Sequence, residues 1–115
     1  MKRGEVYWAD LIPRSGAEQQ GRRPVVVISH NAFNESQSWR SVIVIPLSTS
    51  AAQARRGPSS VSLPQGAGGL PRPSVALCHQ VTTLDRSKLT QLIGELSEAA
   101  MAEIESGLKA AMDLC

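Results

Sequence analysis

Metal-binding signatures are missing from this chain. Its two cysteines, Cys78 and Cys115, form no CxxC pair, its two histidines form no HxxxH or HExxH motif, and its acidic residues show no ligand spacing. Neither a zinc site nor a disulfide framework is encoded, and no metal or cofactor is expected. Cys78, within Val75-Ala76-Leu77-Cys78, reads as a small buried hydrophobe rather than a nucleophile. Aromatics are equally scarce, with one Tyr, one Phe and two Trp, so the core must be mainly aliphatic. No apolar run reaches the roughly 18 residues of a membrane helix. The start, Met1-Lys2-Arg3-Gly4-Glu5, has no apolar segment behind its basic pair, so the expectation is a cytoplasmic, reduced protein. Internal repeats are absent.

What is present fits one globular domain over residues 1–115, with 42% hydrophobic and 19% charged residues. The net charge is only +2, yet it is uneven: residues 1–84 hold 9 basic and 4 acidic side chains, and residues 85–115 hold 3 and 6. Nine of the 12 basic residues are Arg, whose planar fork suits phosphates and stacked bases. Nucleic acid is therefore a candidate partner, although ordinary surface Arg usage explains the same composition equally well.

Glu5–Leu11 is β-branched and aromatic and stops before Pro13, which predicts a first strand. Arg14 to Arg23 reads as a loop with Gly16 and Gly21, followed by the apolar strand Pro24–Ile28, buried on both faces. His30 to Arg40 predicts a polar loop with one helical turn capped by Asn31. Ser41–Ser48 is a third strand, with Pro46 implying an edge or bulge. Val61-Ser62-Leu63 is a short strand between loops, with Arg55-Arg56-Gly57 as a basic tip. Ser74–Val81 is a further strand, Thr83–Asp85 caps a turn at Arg86–Lys88, and Leu89–Leu96 fits strand or helix. From Ser97, apolar Met101, Ile104, Leu108, Ala111, Met112 and Cys115 recur at helical spacing. Gly107 costs that helix about 1 kcal/mol against Ala, so tertiary or subunit contacts must support it. Short strands without βα alternation predict a mainly β fold, an SH3-like, partly open antiparallel barrel with a C-terminal helix.

The segment with the most chemical content is Gly16 to Pro24, a polar loop that delivers Arg23 onto a buried strand. Pro24 restricts Arg23 to extended backbone, so its guanidinium could present fixed donors to a phosphate. Pairing of Arg23 with Glu18 is the structural alternative, slightly favoured by spacing alone. His30 and His79 could meet as an acid–base pair, ranked below Arg-centred chemistry, and local hydrogen bonding is the commoner role for each.

Lys2-Arg3-Gly4-Glu5-Val6-Tyr7-Trp8, Glu18-Gln19 and Arg23-Pro24-Val25-Val26-Val27-Ile28 resemble the MazF/PemK toxins. The resemblance continues through Val44–Thr49 and Ser74–Asp85 and covers nearly the whole chain. It implies a PemK-type barrel and a sequence-specific endoribonuclease toxin that cleaves single-stranded RNA. The Arg before the strand proline, a principal catalytic residue of the family, corresponds to Arg23. The family's second catalytic group, a hydroxyl after the third strand, corresponds to Ser48 where Thr is common, with Thr49 as its alternative. Adjacent strand residues face opposite sides, so only one of the two points into the site, and the family pattern favours Ser48. Glu18, Gln19 and Gln80 match positions lining the family's RNA groove, and loop capping is their plainer role. The resemblance further implies a homodimer and a cognate antitoxin.

RNA carries its own nucleophile in the 2′-OH, so such an enzyme needs alignment and charge stabilisation rather than a metal. Arg as a residue type, with a pKa above about 12, suits the electrostatic role better than proton transfer. Two other classes remain: a barrel toxin that captures a protein such as gyrase, and a plain RNA-binding module. The second fits poorly with 3% aromatics.

Overall fold

The computed structural model describes residues 1–11, 21–50, 52 and 57–114. Seven strands and two helices follow one another as β1 (Glu5–Leu11), β2 (Gly21–Val27), α1 (Asn31–Asn34), β3 (Ser41–Ser48), β4 (Ser60–Leu63), β5 (Ser74–Leu77), β6 (Thr82–Asp85), β7 (Leu89–Glu95) and α2 (Glu98–Met112). All described pairings are antiparallel.

The strands run in the order β4-β5-β3-β2-β1-β7, and β6 also pairs with β3. The alternation of side chains along a strand sorts the core into two layers. On one face of β1, β2 and β3, Ala9, Leu11, Val25, Val27, Val42 and Val44 pack together with Tyr7, Leu84 and Leu89. These residues fill the inside of a curved sheet, β7-β1-β2-β3-β6, whose outer strands are joined by a 3₁₀ turn at Arg86–Lys88 rather than by a ladder. The barrel is therefore open between β6 and β7. On the other face Val6, Val26, Ile45 and Leu47 pack with Val61, Leu63, Leu70, Ala76 and Cys78, and α2 covers them with Met101, Ile104 and Leu108.

β3 belongs to both layers because its partner changes along its length. Ser41–Val44 pairs with Thr82–Asp85 of β6, and Leu47–Ser48 pairs with Val75–Ala76 of β5. Pro46 falls at this change of partner on an interior strand, opposite Val25 at the last rung to β2, so the edge expected from Pro46 is replaced by a switch point. The same switch breaks the expected Ser74–Val81 strand. It ends at Leu77, and Cys78–Gln80 forms a 3₁₀ turn against β3 before β6 begins. Leu89–Glu95 resolves to a strand.

β2 begins at Gly21 and not at Pro24, so Arg22 and Arg23 are strand residues paired with Asp10 and Ala9. His30, not Asn31, caps α1, its Nδ1 accepting the Ala32 N–H at 2.9 Å. Asn31 instead accepts the Arg3 N–H at 2.7 Å and the Asn34 side-chain amide at 3.1 Å. Thr82–Asp85 is a strand whose last residue also caps the next turn, the Asp85 carboxylate accepting the Ser87 N–H at 2.9 Å.

Glycines allow close approach, among them one on β7 and one on α2. A Cβ on Gly94 of β7 would overlap the Gly68 carbonyl oxygen, and one on Gly107 would lie 2.7 Å from Cys78 Sγ. The helical cost of Gly107 is thus offset by tight packing of α2 on the Cys78 turn, the tertiary contact that its sequence position requires. Ser97 caps α2, accepting the Ala100 N–H at 3.1 Å, while Ala111 and Met112 at its far end are exposed.

Candidate functional site

The ends of β2 and β3 define the site. The β2–β3 ladder holds Val27 to Val44, Val26 to Ile45 and Val25 to Pro46, and then stops although both strands continue. Prolines explain the stop: Pro24 brings no N–H to the next rung, and Pro46 none to the last. Beyond this point β2 stays paired with β1 alone, and β3 with β5. Arg23 and Ser48 each lie two residues beyond that last rung on their own strands. Both share the strand face that holds Val25, Val27 and Val44 deeper in the barrel.

Arg23 is exposed at the rim, on backbone fixed by its pairing with Ala9. Ser48 is 6% exposed, and its Oγ accepts the Ser50 N–H at 3.1 Å. That bond occupies a lone pair and leaves the hydroxyl proton available for donation. Thr49 is exposed one residue beyond the strand. Gln80 is half-buried in the Cys78–Gln80 turn, with its amide nitrogen 3.3 Å from His79 Nε2. Glu18 and Gln19, with the proposed Glu18 pairing of Arg23, lie outside the described residues, as do Arg55 and Arg56. His30 and His79 sit on different elements, and each makes a local hydrogen bond, His30 with Ala32 and His79 with Gln80. Cys78 is buried beneath α2, its thiol 3.7 Å from the Ile104 carbonyl oxygen that accepts from it, and burial pushes its pKa up to about 11. Among the described residues no group of three His, Cys, Asp or Glu is arranged to hold a metal ion, and no helix is long and apolar enough to cross a membrane.

Two arginines with defined roles are not foreseen by sequence patterns. Arg86 is a structural clamp: Nε donates to the Trp39 carbonyl at 2.5 Å, Nη1 to Asn34 at 2.6 Å, and Nη2 to Phe33 at 2.6 Å and Ser36 at 3.2 Å. These carbonyls belong to α1 and the loop after it, so the guanidinium satisfies acceptors that a helix end leaves without intrahelical partners. Arg22 lies with its guanidinium carbon 4.9 Å from the centroid of the Trp8 ring and donates to Gln91 Oε1 at 3.1 Å. No local pattern announces either, since the partners are far away in sequence.

Comparison with known proteins sets this geometry in context. Residues 2–112 match the family described as PemK-like, MazF-like toxin of type II toxin–antitoxin systems. Endoribonuclease MazF6 of Mycobacterium tuberculosis is 37% identical over 114 residues, covering 99% of this chain and 98% of the relative. Endoribonuclease EndoA of Bacillus subtilis is 35% identical, covering 99% and 96%. Among solved structures, a mycobacterial endoribonuclease in complex with its cognate antitoxin superposes with a TM-score of 0.79 at 27% identity, covering 100% of this chain and 97% of that one. MazF of Deinococcus radiodurans gives 0.80 at 27% identity, covering 99% and 97%.

Proposed function

The chain belongs to the PemK-like, MazF-like toxin family, and from that premise we propose that it cuts single-stranded RNA, most naturally messenger RNA, at a short sequence without a metal. Endoribonuclease activity is what relatives 32–37% identical over essentially the whole chain are named for. The observation that supports the residue assignment is the interrupted β2–β3 ladder, with Arg23 and Ser48 each two residues beyond its last rung, Val25 with Pro46.

In this reading the 2′ oxygen of the substrate forms a bond to phosphorus as the bond from phosphorus to the 5′ oxygen breaks. The proton lost by the 2′-OH balances the one gained by the leaving 5′ oxygen. The products are a 2′,3′-cyclic phosphate and a 5′-OH. Arg23 binds the non-bridging oxygens, where charge grows, and the Ser48 hydroxyl adds a donor. Each such pre-placed donor lowers the barrier by roughly 3 to 4 kcal/mol. Thr49 is the alternative hydroxyl, and Glu18, Gln19 and Gln80 are assigned to base recognition along the groove. The active form is a homodimer in the cytoplasm, neutralised by a cognate antitoxin that occupies the same groove.

The test is cleavage of a long single-stranded RNA in excess EDTA by wild type, Arg23→Ala, Ser48→Ala and Thr49→Val, with mapping of cut positions and end groups. Discrete wild-type cuts with cyclic phosphate ends, reduced about 10²- to 10³-fold in Arg23→Ala and Ser48→Ala, are expected. Equal cutting by Arg23→Ala removes that residue from the mechanism. Absence of cutting by folded wild type favours capture of a protein target instead.

A further inference from the structure

Arg22 is a cation of the rim whose described contacts are an aromatic ring and a neutral amide. Its cross-strand partner on β1 is Asp10, yet among the described residues no carboxylate lies within ion-pair distance of its guanidinium. The group turns instead onto Trp8, 4.9 Å from the ring centroid, and is fixed in rotation by Gln91 Oε1 at 3.1 Å. Trp8 is itself anchored, paired with Pro24 on one side and Gln91 on the other, its carbonyl accepting from Thr90 Oγ1 at 3.3 Å. The result is an exposed cation held by a ring contact and one hydrogen bond. The side chain is exposed, so the guanidinium over the indole keeps surface open to a second planar group.

A planar, positively charged group with open surface is one on which an unstacked nucleobase settles. Its position fits such a role. Arg22 and Arg23 are consecutive strand residues and project to opposite faces. A strand of RNA that wraps over the end of β2, with its phosphate at Arg23 on one face, would bring a neighbouring nucleotide to Arg22 on the other.

We propose that the Arg22 guanidinium, stacked on Trp8, is a platform for a nucleobase next to the scissile phosphodiester and helps set which sequence is cut. This rests on the RNA-cleaving function proposed above, and its test separates the two. A set of 2′-O-methyl oligonucleotides spanning the mapped cut sequence, each with one abasic position, cannot be cleaved and reports binding alone. Wild-type binding is expected to weaken about 10-fold at one abasic position beside the cut, a usual size for a lost stack. In Arg22→Ala, intact RNA binds about 10-fold more weakly and that position loses its penalty. Arg22→Lys keeps the charge but not the plane, and is expected to bind like Arg22→Ala. Gln91→Ala, which frees the guanidinium without removing it, gives a loss of a few-fold, and thermal melting checks that all variants fold.

Wild-type affinity in Arg22→Lys would reduce the site to a phosphate contact and overturn the stacking. Absence of any abasic position coupled to Arg22, in a protein that still cuts RNA through Arg23, would overturn this inference while leaving the proposed function intact. Failure of wild type to bind or cut RNA would overturn both.

Discussion

Replacing Arg86 tests whether a single guanidinium holds the segment after α1 in place. Its three nitrogens reach four backbone carbonyls of residues 33–39. Hydrogen bonds to a charged group contribute about 1.5 to 3 kcal/mol each when taken singly. They do not add here: the side chain is only half-buried, and the Phe33 carbonyl keeps the Ser36 N–H at 3.2 Å. The carbonyls of Asn34 and Trp39 bear most of the loss, so Arg86→Ala is expected to cost about 3 kcal/mol. At this chain length that lowers Tm by roughly 12 °C. Arg86→Lys retains the charge, but one ammonium cannot span carbonyls met by three separate nitrogens, and it should recover less than half. Urea unfolding followed by tryptophan emission at fixed protein concentration gives the comparison, with Trp39 a local reporter because its ring lies 4.8 Å from that of Phe33. A Lys variant as stable as wild type would show that charge near a helix end, and not the fork, is what matters, and would refute the clamp.

Gly107→Ala gains about 1 kcal/mol in helix propensity, but the new methyl would sit 2.7 Å from Cys78 Sγ and 2.9 Å from Val61 Cγ2. Net destabilisation of about 1 to 2 kcal/mol is expected in chemical denaturation, and Cys78→Ala in the same chain should recover part of it. Tyr7 is the only tyrosine, and burial, a hydrogen bond to Glu5 and the Glu5 charge raise its pKa to about 12. Its absorbance at alkaline pH should therefore titrate near 12 in the folded protein. Because the folded value is the higher one, the stability it contributes is full below about pH 10 and is lost as pH rises from about 10 toward about 12. Tyr7→Phe should flatten that part of the stability profile. Asp85, held below the usual carboxylate range by its hydrogen bonds to Ser87 and by Arg40, acts in the opposite sense. Its contribution is present above the ordinary carboxylate pKa and disappears as pH falls through the lowered value, a loss Asp85→Asn should abolish in an acid titration of unfolding.

Strands and helices whose signal is local are legible in the amino-acid sequence alone. Ser41–Ser48 carries its β-branched run within itself, and α2 carries its cap and apolar spacing, so both stand where the residues predict. Features that depend on distant partners are not legible in this way. The 3₁₀ turn at Cys78–Gln80 exists because β3 exchanges β6 for β5, and nothing in Ser74–Val81 itself encodes that exchange. Asn31 has the better capping chemistry, but its amide is drawn to Arg3 and Asn34, and His30 takes the cap. At the site, family resemblance points to Arg23, Ser48 and Gln80 by identity. The ladder stop between two prolines, which makes the rim, emerges only once register is known. Arg22 stays hidden as long as the strand is expected to begin at Pro24.

The change of partner along β3 also bears on how the protein comes apart. One strand supplies Val42 and Val44 to the barrel interior, and Ile45 and Leu47 to the layer under α2. Pulling it from either layer strips rungs from the other, so neither layer has an unfolded state of its own while the other persists. Amide exchange in Val42–Leu47 should accordingly occur only when the whole domain opens, with helix and barrel losing protection together, and the rim that carries Arg23 and Ser48 hangs from the last part of the fold to yield.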